Sequence, residues 1–122
     1  MSDETYRFCK IFLRAESRAA MDLLAVLLET PFQRRTLTLP DGVVDVMRNP
    51  DMGAVDDFIG WPTVVEIDAE EHADRASVIV ITSRIVTAMW DAGIPAVAAC
   101  DYEDDLPWSG GIKRLRGLGQ EC

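Results

Sequence analysis

At 122 residues with net charge −9, 48% apolar and 27% charged residues, the chain has the length and make-up of one globular domain. Its longest apolar runs, such as Val78-Ile79-Val80-Ile81, are too short to cross a membrane, and the excess of acids argues against nucleic-acid or membrane-surface binding. The first residues, Met1-Ser2-Asp3-Glu4, are acidic with no apolar signal core, so a cytoplasmic location is expected.

Residues 6–14 are aromatic and aliphatic with no purely apolar alternate set, which predicts a strand covered on both sides or central in a sheet. A helix follows, with Ser17 as the expected N-cap. Met21, Leu24 and Leu28, flanked by Ala20, Leu23 and Leu27, make a wide apolar stripe at helical spacing. Thr30-Pro31 closes it, because proline disfavours helix in the residue before it.

Residues 34–39 and 43–48 are strand-like and flank Pro40-Asp41-Gly42, which predicts a hairpin with Gly42 supplying a positive φ. Leu37 and Leu39 share one face, as do Val44 and Val46 on the partner strand. Residues 49–61, with Pro50, Gly53 and Gly60, are the least regular stretch. A strand at 62–67 then faces Val65 and Ile67 inward, and Glu66 and Asp68 outward.

The second helix is expected over 73–91, entered by Glu70, Glu71 and Asp74, whose charges suit the positive end of its dipole. Val78, Ile81, Ile85 and Met89 form its buried stripe, and Gly93 stops it. The final strand, 95–100, is rich in small residues and reads as an interior strand under a helix. Residues 101–112 leave as an acidic, aromatic loop. Residues 1–112 make a single domain, with a basic C-terminal tail at 113–122.

The order strand, helix, hairpin, strand, helix, strand predicts an α+β, two-layer sandwich. It has a mixed four- or five-stranded sheet with two helices on one face, ferredoxin-like with an added strand.

Sequence motifs for chemistry are sparse. The three cysteines, Cys9, Cys100 and Cys122, form no C-x-x-C, and His72 is the only imidazole, so neither a zinc site nor a Cys–His nucleophile is marked out. The glycines at 110–111 and 117–119 match no phosphate-binding loop, so no cofactor is expected. Asp101, Glu103, Asp104 and Asp105 offer oxygen ligands but lack calcium-loop spacing, and a solvated acidic loop explains them better than a metal. No carboxylate pair stands out for acid–base catalysis, and the reading leans away from an enzyme.

Two acidic groups, Glu66 with Asp68 and Asp101 with Glu103, Asp104 and Asp105, are expected to meet at one end of the sheet if strands 62–67 and 95–100 lie side by side. Trp61 and Trp108, each beside a proline, supply anchors for a protein contact. The segments Trp61-Pro62-Thr63-Val64-Val65-Glu66-Ile67 and Trp90 to Pro107 together resemble small acidic bacterial proteins of the toxin-immunity kind. That resemblance implies a cytoplasmic, non-catalytic inhibitor that covers a basic toxin; it transfers no site residues. The alternative is a ferredoxin-like domain, binding a small molecule or acting as an enzyme, that works as a homodimer.

Overall fold

The computed structural model describes residues 8–55, 57–71, 73–100 and 102–114. The chain is α+β: strand β1 (Phe8–Leu13), helix α1 (Ser17–Leu28), strands β2 (Thr36–Leu39), β3 (Gly42–Arg48) and β4 (Thr63–Ala69), helix α2 (Arg75–Asp91) and strand β5 (Ala96–Ala99). The five strands form one sheet in the order β2-β3-β4-β1-β5.

Every pairing in that sheet is antiparallel, which corrects the expected mixed sheet. The cause is the strand inserted with the hairpin. β4 is reached after β2 and β3 have each reversed direction, so it runs opposite to β1 rather than alongside it. β4 and β5, both antiparallel to β1, are parallel to each other but separated by β1. The expected neighbouring of strands 62–67 and 95–100 therefore fails.

β1 lies inside the sheet with β4 and β5 on its two sides, as its mixed composition predicts. Strand alternation points Cys9, Ile11 and Leu13 to one face together with Val44, Val46, Val65, Ile67, Ala96 and Ala98. Ala20 and Leu24 of α1 and Val78, Ile85 and Met89 of α2 join them in one core. Thr82 is also sealed in α2, where its hydroxyl donates to Val78 O (2.9 Å) and meets Tyr102 Oη (3.0 Å).

Three local expectations change. Ser17 is the first helical residue of α1; the cap is Glu16, whose side chain makes no capping bond, and the Ser17 hydroxyl lies 3.2 Å from Thr63 Oγ1. Gly42 is not in the positive-φ region. Its value is close approach: a Cβ there would lie 2.6 Å from Asp68 O, so only glycine lets the hairpin meet β4.

β5 is an edge strand, not an interior one, yet Ala96, Val97 and Ala98 are buried. Its outer edge is covered by the 3₁₀ segment Pro107–Gly111 and by α2. Trp90 Nε1 donates to Ala96 O (3.1 Å), and Gly111 packs against the same carbonyl. A covered edge lets small residues be buried without another strand beyond them. Lys113 and Arg114, the first residues of the basic tail, continue as a helical turn, and the Arg114 guanidinium lies 5.3 Å from the Trp90 ring centre.

Candidate functional site

The core residues of α1 and α2 join the face that carries Cys9, Ile11 and Leu13, and the alternate strand residues form the other face. Across that side the register lines up Thr36, Asp45, Glu66, Lys10 and Ala99 in one row from β2 to β5. Thr36 Oγ1 donates to Asp45 Oδ1 (2.5 Å), which fixes that carboxylate. Asp45 and Glu66 are directly opposed like charges, an arrangement that costs a few tenths of a kcal/mol. Lys10, opposite Glu66 on its other side, offsets part of that repulsion.

The adjoining row, Met47, Val64, Phe12 and Val97, is apolar. One end of it is roofed by the irregular segment 49–62. Phe58 sets its ring edge-on to Phe12 (centroids 5.4 Å, 72°). Buried Asn49 pins the segment: its Nδ2 donates to Ile59 O (2.6 Å) and Trp61 O (2.7 Å), while its Oδ1 accepts from Asp51 N (2.9 Å). Between this roof and the sheet lies a groove of about 500 Å³ lined by Phe8, Lys10, Phe12, Met47, Ile59 and Glu66, among others. On the far side of Glu66 from the roof, Asp68 and half-exposed Phe8 are paired.

The predicted contact residues divide between places. Glu66 and Asp68 do share the outward face of β4. Trp61 is half-buried with its ring against Phe58 (6.4 Å), and so completes the roof of the core. Asp104 and Asp105 are exposed after β5, and Asp105 accepts from Arg75 Nη2 (2.6 Å), which ties it to the start of α2. Trp108 is 56% exposed and belongs to the segment covering β5. Asp101 and His72 lie outside the described residues, as does the side chain of Glu103. The side-by-side strands on which the meeting of the two acidic groups was expected are absent: β1 stands between β4 and β5 and places Lys10 opposite Glu66.

Sequence reasoning missed Asp45, Lys10 and the roof. The alternation of Val43, Asp45 and Met47 against Val44 and Val46 carries the signal for Asp45. It also missed a basic cleft at the opposite end of the chain's charge scale: Arg18, Arg35 and Arg48 line a cavity of about 560 Å³, with Glu16 beside them. Among the described residues no three carboxylate, thiol or imidazole groups gather where they could hold a metal ion, and no helix is long and apolar enough to cross a membrane.

Among the described residues two titratable groups are clearly shifted. Burial, with the nearby Cys9, pushes the Tyr102 hydroxyl far above its ordinary value, so it stays a neutral partner of Thr82. Asp74, the N-cap of α2, is held below the usual carboxylate range by the backbone N–H and the hydroxyl of Ser77. Neither lies on the open sheet face. No family model matches this chain, and no curated protein or solved structure matches it significantly.

Proposed function

We propose that the protein is a non-enzymatic binding module that receives a basic protein on its open sheet face, in its sharpest form as an immunity-type inhibitor of a toxin. The scaffold for this reading is a two-layer, ferredoxin-like arrangement with an added strand. The carrying observation is the juxtaposition of Asp45, Glu66 and Asp68 with Phe8, Phe12 and Met47 on the side that neither helix covers. Apolar contacts with a charged margin are the make-up of a protein interface, and the net charge of −9 favours a basic occupant. The test compares two charge reversals. A partner captured from the source lysate should be basic. Glu66→Lys with Asp68→Lys should slow its association about tenfold or more at low salt and less at high salt. Asp104→Lys with Asp105→Lys, away from that face, should change the rate little. Equal effects of both reversals, no effect of the first, or a stable homodimer that buries the face would overturn the proposal.

A second reading rests on the cleft lined by Arg18, Arg35 and Arg48 with Glu16: three arginines from separate segments share one cavity in an otherwise acidic chain, a composition suited to a small anionic ligand. Inorganic phosphate and citrate are the probes. A rise in melting temperature lost in Arg48→Gln supports this reading, and an equal rise in the variant rejects it.

A further inference from the structure

We propose that Cys9 and Cys100 form a reversible dithiol–disulfide pair that, once closed by a hydroperoxide, staples the chain just past the edge strand β5 to its neighbour β1. The argument begins with register. β1 and β5 pair Ile11 with Ala98 and, as their last pair, Lys10 with Ala99; the same register carried one step further, to where the chain bends out of β5, sets Cys9 against Cys100. Both side chains fall on the helix-covered face, in line with Ile11 and Ala98, Leu13 and Ala96.

The hydrogen-bond pattern then fixes what kind of position this is. Arg14 N–H donates to Pro95 O (3.0 Å), which makes Arg14 and Pro95 a hydrogen-bonded pair. Antiparallel ladders alternate, so Phe12 with Val97 and Lys10 with Ala99 are hydrogen-bonded pairs and Leu13 with Ala96 and Ile11 with Ala98 the intervening ones; Cys9 and Cys100, carried on in that register, fall in the intervening class. At such intervening pairs the Cα atoms approach to about 4.5 Å and the side chains are closest. That distance lies inside the range of roughly 4.4–6.8 Å that a disulfide spans.

Packing agrees with the register. Cys9 and Tyr102 belong to one core with Cys100 packed against it, and both thiols help to raise the Tyr102 hydroxyl above its ordinary value. No disulfide joins them here. Cys9 is fully buried and Cys100 partly exposed, just past the end of β5. Exposure sets the order of events. The Cys100 thiolate attacks the peroxide; the O–O bond breaks, leaving a sulfenic acid and, for hydrogen peroxide, one water after protonation. Cys9 sulfur then attacks Cys100 sulfur; the S–S bond forms, the S–O bond breaks and a second water leaves. Two thiols are oxidised and one peroxide is reduced.

The test treats the full chain carrying Cys122→Ser with hydrogen peroxide and maps it without reduction. Trypsin cuts after Arg7, Lys10, Arg84 and Lys113. The expected product is the tripeptide 8–10 joined to peptide 85–113, with the mass of two hydrogens lost. Oxidation should raise the melting temperature by several degrees, reversibly with dithiothreitol, and Cys100→Ser should abolish the rise. Oxygen addition at Cys100 without the cross-link, or thiols that stay unmodified at peroxide levels that oxidise free dithiothreitol, would overturn the proposal.

Discussion

Replacing Gly111 with alanine should loosen the edge of the sheet, and the size of the effect follows from the geometry around Ala96. Gly111 has φ +107°, and an added Cβ would lie 2.3 Å from Ala96 O and 3.0 Å from the Trp90 ring. The backbone term alone is about 1–2 kcal/mol for an L-residue forced to positive φ. The close contact is with a carbonyl, which cannot swing away, so the covering segment must move outward. That movement weakens the Trp90 Nε1 bond to Ala96 O, a further loss of about 0.5–1.5 kcal/mol. The sum is about 1.5–3.5 kcal/mol, or roughly 10 °C in melting temperature for a domain of this size. Urea unfolding measures it, and amide exchange locates it, since the β5 amides should lose protection before those of β3. Gly53→Ala is the control. Its φ of +80° is similar but nothing lies within 4 Å of the added Cβ, so it carries the backbone term without the contact. If the two variants lose the same stability, or Gly111→Ala loses less than about 1 kcal/mol, the segment 107–111 does not hold the edge.

Thr82→Val should cost about 1–3 kcal/mol in urea unfolding, because it keeps the side-chain volume but removes the Thr82 partner of the buried Tyr102 hydroxyl. A loss within experimental error would mean that the Tyr102 hydroxyl is satisfied without Thr82. Asp74→Ala should destabilise α2 near neutral pH by removing the bond from Ser77 N–H (2.8 Å). The folded Asp74 titrates below its unfolded value, so its contribution is complete above the unfolded pKa and is lost as pH falls through the lowered folded one. Wild type and variant should therefore converge in stability in strong acid; a gap that stays constant with pH would show that charge plays no part.

Element type was legible because it is local. The period-two pattern of Val44, Val46, Val65 and Ile67 and the helical stripe of Val78, Ile85 and Met89 follow from one segment each, and all are buried. Strand order was not legible, because no period says that Lys10 lies between Glu66 and Ala99, residues some 56 and 89 positions away in sequence. The small side chains of β5 suggested burial correctly but not its source: a short strand can be covered on its edge by a later segment as well as by a neighbour. The site followed the same division. The outward direction of Glu66 and Asp68 was a matter of alternation, whereas the joining of Asp45 and Lys10 to them, and the roofing of the face by the segment that Asn49 pins, depend on pairings between distant segments.

The place of β1 in the sheet also bears on how the chain acquires its structure during synthesis. β1 emerges first, but its two partners, Thr63–Ala69 and Ala96–Ala99, come from the second half of the chain. Until residue 99 has left the ribosome, the central strand lacks one of its two ladders, and Ile11 and Leu13 have no completed core to enter. The α1 and β2–β3 portion can form local contacts in the meantime, but the sheet closes only at the end. Such long-range closure slows folding relative to helical domains of similar size. Its waiting strand, apolar and unpaired, is the segment for which a nascent-chain chaperone would compete.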